Sequence, residues 1–283
     1  MPLHRRIASS VLNATRPGRQ GLGWWDFSEI LLVAFGFLLY FLVRGAPGDR
    51  TADALRHARS IVDIEFSLGL FIEPAVQRWV LDSDFLWRSM NFVYFWFDFP
   101  LIVAVGLVMF FRCRGYYTLL RDSLLISGGI ALVVYYTFPV APPRYLTEWG
   151  FVDTLEVYSN LSYQAQSMQP FVNPFAAVPS LHVGWSALLV VAVFAATRNP
   201  FARAGSIAVL ILQSVAVVGT GNHFIFDGVV GLLVCAVGLA LALWLQRIGY
   251  PATRRQLAAW AGEPLTLAVE AMRGESIELP VDY

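Results

Sequence analysis

Lysine is missing from all 283 residues; the 20 basic side chains are arginines. Without a lysine amine there is no Schiff-base chemistry and no phosphate loop of the Gly-x4-Gly-Lys kind. Charge is scarce: charged residues make up 14% of the chain, against roughly 25% in soluble domains. The 20 acidic residues cancel the 20 bases, so no net field draws the chain to nucleic acid. Cysteine is nearly absent. Cys113 and Cys235 both lie in apolar stretches and form no Cys-x-x-Cys pair, which excludes a disulfide framework and a zinc cluster. Internal repeats and low-complexity tracts are also missing. What is abundant is apolar: 57% hydrophobic residues and a mean hydropathy of +0.58. That balance excludes an ordinary water-soluble globule and a disordered chain. The expectation is an all-α, multi-pass membrane protein.

A helix needs about 20 mostly apolar residues to cross the hydrocarbon core. Six stretches qualify, at 27–43, 92–111, 119–138, 181–197, 204–220 and 224–245. They divide the chain into an N-terminal arm (1–26), a six-helix membrane domain (27–246) and a C-terminal tail (247–283). The arm has no compact apolar core with a cleavage site, so no removable signal peptide is expected. Arginines set the orientation. Twelve (Arg5, Arg6, Arg16, Arg19, Arg112, Arg114, Arg121, Arg198, Arg203, Arg247, Arg254 and Arg255) flank one side of the spans, against seven on the other. The richer side, with both termini, is expected in the cytoplasm of a cell-membrane protein. Loops 44–91 and 139–180 and the turn 221–223 then face outward. Within 52–72, Leu55, Ala58, Ile61 and Val62 recur at helical spacing, and Arg59–Asp63 is an i,i+4 pair. This predicts a helix between the first and second spans, lying in the membrane interface or in a soluble loop. Trp79, Trp87, Trp96, Trp149 and Trp185 gather near outer span ends as an aromatic belt would. Residues 253–272 fit one amphipathic helix.

Four histidines are present. His4 in the arm and His57 in the loop helix are expected to face solvent. His182 opens the fourth span and His223 the sixth, where an ionisable group is expensive and is by default functional. His223 and Asp227 are four apart on one helical face. A carboxylate on one imidazole nitrogen fixes the tautomer and leaves the other nitrogen as nucleophile or base. Ser180 is a good N-cap for the helix that carries His182, and that helix start offers backbone N–H groups to an anion. His182 there is placed to protonate a leaving oxygen. Arg144 follows three prolines just past the third span, and its guanidinium suits a phosphate or, equally, a lipid headgroup. Other readings stay open: the His–Asp pair as a structural bond between spans, or two histidines and a carboxylate as metal ligands. Asp98, in Trp96-Phe97-Asp98-Phe99-Pro100, fits either as a partner that orients a histidine or arginine or as a bundle pair.

These residues resemble the type 2 phosphatidic acid phosphatase superfamily. Pro179-Ser180-Leu181-His182 is similar to its Pro-Ser-Gly-His block, with leucine for glycine, and His223-x3-Asp227 to its last block. Ala141-Pro142-Pro143-Arg144 and Gly221-Asn222-His223 are closer to the inositol phosphorylceramide synthase branch and its bacterial relatives. The likeness covers roughly 60–245. It implies a metal-independent phosphohistidine mechanism with no cofactor: His223 attacks phosphorus, Asp227 orients it, His182 protonates the departing alkoxide, and Arg144 and Ser180 hold the phosphoryl oxygens. The family's Ser-Arg pair falls here on Ala216 and Val217, and a basic-block lysine on Thr137. Another outer arginine such as Arg88, or neutral and backbone donors, must fill those places.

The resemblance therefore implies a lipid phosphotransferase that moves an inositol-phosphate or related headgroup from a phospholipid to a hydroxyl acceptor. A lipid phosphate phosphatase, with water as acceptor and an isoprenoid or glycerolipid phosphate as substrate, uses the same residues. A non-enzymatic lipid-binding or transport bundle is the third reading, although transporters commonly show repeated halves. Membrane lipids are the expected partners.

Overall fold

The computed structural model describes residues 2–14, 26–44, 50–155 and 174–262. Among them there is no strand. The helices are α1 (Leu3–Ala14), α2 (Asp26–Arg44), α3 (Thr51–Leu68), α4 (Glu73–Leu81), α5 (Asp84–Trp96), α6 (Phe99–Arg112), α7 (Arg114–Thr137), α8 (Leu181–Ala196), α9 (Pro200–Gly219), α10 (Ile225–Trp244) and α11 (Tyr250–Ala261). The protein is all-α and membrane-integral, as expected. Three helical runs are long and apolar enough to cross a bilayer: Arg114–Thr137, Pro200–Gly219 and Ile225–Ala261. A fourth crossing is available to α5 and α6 taken together, bent by 47°. The six expected stretches coincide with helices, but only three to four of these are long and apolar enough to span; α8 has 16 residues, and the stretch 92–111 is broken, not continuous. Pro100 in the first turn of α6 has no N–H to carry the ladder through, so the helix restarts there. Val229, Leu233 and Val237 on α10, and Val103, Leu107 and Phe111 on α6, are exposed at i,i+4 spacing, apolar stripes that suit lipid tails and not water.

The chain divides into two compact units. In one (1–35 and 240–283), Ala8 and Leu12 of α1 pack on Ala258 and Ala261 of α11, and Arg254 Nη2 donates to Leu12 O at 3.3 Å. Gly262, in the left-handed region at φ 73°, ends α11. Of the tail helix expected over 253–272, residues 253–261 are helical; from 263 onward the expectation lies outside the described residues.

The other unit (36–239) holds every candidate site residue. On α3 the buried positions are Ala54, Ala58, Ile61, Val62 and Glu65, one helical stripe. This stripe packs on Val140, Ala141, Leu146, Phe151, Ala177, Val178 and Phe224, so the apolar face of the loop helix turns to the protein's own core. The i,i+4 pair expected on it gives way to a tertiary one: Arg59 reaches Glu148 at 3.0 Å. Gly69 terminates α3 at φ 67°, where Leu70 N–H donates back to Glu65 O at 2.8 Å. His57 is not free in solvent either. Its ring stacks on Phe138 at 3.9 Å, with Nδ1 2.8 Å from Pro139 O.

Two of the five expected interface tryptophans are core residues. Trp185 is 6% exposed and donates to Ser127 Oγ at 3.1 Å; Trp87 is 6% exposed and donates to Asp84. Their helices turn those faces inward, whereas Trp79, Trp96 and Trp149 are exposed.

Candidate active site

Three chain segments meet where α10 begins. The first is the turn between α9 and α10. Gly221 adopts φ 71°, and a Cβ there would lie 2.7 Å from Gln77 Nε2 and 3.1 Å from Val152 O, so only glycine fits the turn. His223 follows, buried, its N–H bonded to Val217 O at 3.0 Å. Asp227, fully buried in the first turn of α10, bends back so that Oδ2 accepts from Phe224 N–H at 2.9 Å and lies 3.2 Å from His223 Nδ1. The same Nδ1 is 2.8 Å from Ala177 O. Both of these neighbours are acceptors, so Nδ1 carries the proton and Nε2 is the basic nitrogen.

The second segment is the start of α8. Ser180 N–H donates to Asp227 O at 2.9 Å. Gly231 makes this approach possible, because a Cβ on it would sit 2.1 Å from Ser180 O. Gly184 likewise lets α8 close on Gly231 O and the Cys235 thiol, the small-residue packing that joins helices in membranes. The result sets the His182 ring centroid 5.4 Å from that of His223. His182 stacks on Tyr94 at 4.5 Å, and its Nε2 lies 3.4 Å from Asp98 Oδ2. Ser180 Oγ is fully buried with no hydrogen-bond partner.

The third segment brings Arg144. A short parallel bridge between Val140 and Ala176 ties its loop to the one before α8, and Arg144 N–H donates to Gly221 O at 2.9 Å. Its Nη1 donates to Asn222 Oδ1 beside the nucleophile candidate. Its Nε pairs with Asp153 Oδ2 at 3.0 Å. The guanidinium thus reaches the residue before His223 already half committed to a carboxylate. The chain's departures from the family pattern hold in space: Ala216 and Val217 are buried, and Thr137 bonds its own helix at Val133 O. Arg88 stacks over Trp87 at 4.5 Å and lines an open groove of about 430 Å³ with Phe85, Ser89, Phe92 and Val93.

Sequence reasoning missed the polar groups that hold these segments. Gln77 clamps Val152 through both backbone atoms, each at 2.9 Å. Asn91 holds Thr154 by backbone and side chain, donating to its carbonyl at 3.1 Å and accepting from its hydroxyl at 2.8 Å. Glu65 Oε1 accepts from Phe226 N–H at 2.7 Å and Glu73 Oε1 from Ile225 N–H at 2.9 Å. Burial, reinforced by a hydrogen bond with Glu73, pushes the Glu65 carboxyl up to about 9. Among the described residues no three His, Cys, Asp or Glu side chains are grouped to hold a metal ion.

Buried His223 and part-buried His182, each beside a carboxylate, stand 5.4 Å apart ring to ring, an arrangement open to acid–base or nucleophilic histidine chemistry. The chain belongs to the PAP2 superfamily, whose family model matches residues 59–241. It is also 26% identical over 189 residues to the phosphoinositol dihydroceramide synthase of Bacteroides thetaiotaomicron, with 60% of each chain covered. It thus spans somewhat less than two thirds of that relative's length. No solved structure matches.

Proposed function

We propose that the protein is a lipid phosphotransferase working through a phosphohistidine, with an inositol-phosphate or related headgroup as the transferred unit. The observation that carries the reading is the placement of His223 Nδ1 between Ala177 O and Asp227 Oδ2, which leaves Nε2 as the basic nitrogen, in a ring 5.4 Å from that of a second histidine. The superfamily and the synthase-named relative support it.

In the first step His223 Nε2 attacks the donor phosphorus. An N–P bond forms as the bond to the lipid alkoxide breaks, and His182, held by Asp98, delivers a proton to the departing oxygen. Asp227 stabilises the positive charge that develops on His223. In the second step His182, now basic, takes the proton of an acceptor hydroxyl. The new oxygen attacks phosphorus, the N–P bond breaks and His223 is regenerated. Arg144 and the unpartnered Ser180 hydroxyl are the donors for the phosphoryl oxygens. The active site lies on the outer face and both termini in the cytoplasm, as the arginine distribution favours.

The test is turnover by purified protein in detergent, with phosphatidylinositol and mixed lipid phosphates as donors, and water and hydroxyl lipids as acceptors. Mass spectrometry follows every phosphorus-containing product, and His223→Ala runs alongside. A new phosphodiester lipid that disappears in the variant is the expected result. Inorganic phosphate as the sole product makes the protein a phosphatase. Activity surviving His223→Ala removes the covalent mechanism.

A further inference from the structure

The first turn of α10 uses up its exposed backbone donors in an unusual way. Three consecutive N–H groups, those of Phe224, Ile225 and Phe226, each donate to a carboxylate of the chain itself: Asp227 at 2.9 Å, Glu73 at 2.9 Å and Glu65 at 2.7 Å. A helix N-terminus attracts anions, but one anion meets that need. Glu65, Glu73 and Asp227 are each at most 1% exposed. The second oxygens of Glu65 and Glu73 have no N–H or O–H donor, and the two carboxyls are close enough for each to bear on the other. Three ionised carboxylates have no place in so dry a cluster, since a buried charge without a compensating partner is strongly unfavourable. One proton held between Glu65 and Glu73 supplies the missing donor and removes one charge.

We infer that Glu65 and Glu73 are positioning residues for the candidate catalytic histidine: as a carboxylic acid–carboxylate pair sharing one proton, they clamp the first turn of α10 and thereby fix His223 and Asp227. The pair acts through backbone. Glu65 comes from α3 and Glu73 from α4, two helices of the loop before the second span, so the clamp ties that loop to the nucleophile's turn. Among the described residues, Glu73 and Asp227 are the titratable groups that bear on Glu65, whose carboxyl stays protonated up to about pH 9.

This inference rests on the proposed role of His223, and its test has one readout that needs no turnover. Glu65→Gln keeps an acceptor for Phe226 N–H and a neutral donor for Glu73; Glu65→Ala keeps neither. Hydrogen exchange across residues 222–228, read by mass spectrometry on the full chain in detergent, is expected to be faster in Glu65→Ala and close to wild type in Glu65→Gln. In turnover, Glu65→Ala is expected to lose roughly 10–100-fold, the usual cost of an outer supporting partner, and Glu65→Gln distinctly less. The wild-type rate is expected to fall near pH 9 as the shared proton leaves, and that alkaline limb to be absent in Glu65→Gln. Equal exchange in wild type and Glu65→Ala overturns the clamp. An unchanged alkaline limb in Glu65→Gln, or a loss as deep as in Glu65→Ala, overturns the shared proton. If the wild type turns over no lipid phosphate at all, the catalytic reading fails, while exchange at 222–228 still decides the clamp.

Discussion

The Nδ1 proton of His223 has two acceptors of different kinds, and they do different jobs. Ala177 O is closer, at 2.8 Å, and is neutral; Asp227 Oδ2, at 3.2 Å, is the one able to answer a positive charge on the ring. Asp227→Asn keeps the ring's orientation through Ala177 and loses that answer, so kcat is expected to fall ~10²–10³-fold with little change in KM. A rise in KM alone would mean that the carboxylate serves only to hold substrate. Arg144 is a different case, because its Nη1 and Nε reach Asn222 and Asp153 separately. Arg144→Ala is expected to lower kcat/KM by ~10²-fold, and Arg144→Lys to recover little of it, since one ammonium does not reproduce a planar fork. Kinetics untouched by Arg144→Ala leave it a lipid-headgroup anchor. His182, His223 and Asp227 were legible in the sequence because ionisable residues inside apolar runs are rare and a spacing of four is a contact. Glu65 was legible in principle, four residues after Ile61 on the stripe of Ala54, Ala58 and Ile61. In sequence it reads as one more charge in an outer loop, because nothing local says which face of α3 is buried. The Arg144–Asp153 pair gave no local signal, being made across a loop.

Helices here are placed by what they lack in side chain. α8 meets α10 through Gly184 and Gly231, where backbone replaces side chain at the contact. Gly231→Ala drives a Cβ to 2.1 Å from Ser180 O, so α8 must retreat from α10 and take His182 with it. The expected outcome is a destabilisation of ~1–3 kcal/mol, seen as a lower apparent Tm, with most activity lost. Gly228→Ala is the control one turn earlier: its Cβ would meet Val183 no closer than 3.6 Å, and both activity and Tm are expected to stay near wild type. Equal behaviour of the two variants would show that the close approach does not set the histidine spacing. Hydropathy located the apolar elements well, because a 20-residue apolar run has few alternatives to a helix. It did not see the break between α5 and α6, although Pro100 signals one. It also turned Trp87 and Trp185 toward lipid, because an aromatic near a span end reads alike whether it faces the belt or the core.

For the membrane domain as a whole, the buried acids of the loop helices link pH to stability with a definite sign. Glu65 titrates near 4.5 when the chain is unfolded and at about 9 when folded. Between those values the folded protein holds a proton that the unfolded chain has released, so stability falls as pH rises across that window. Below about pH 4.5 both states bind the proton and the contribution is complete; above about 9 neither does, and it is gone. Most soluble proteins owe their pH dependence to paired carboxylates with depressed values, and these act in the opposite direction. Glu65→Gln has no such proton to lose. Its apparent Tm is therefore expected to fall less than that of the wild type between pH 6 and pH 9, the two curves converging or crossing at the alkaline end. Differential scanning fluorimetry of the full-length protein in one detergent, at several pH values through that range, reads the difference directly. Parallel curves would mean that Glu65 is ionised in the folded protein at neutral pH. The turn bearing His223 would then sit against a full negative charge on Glu65.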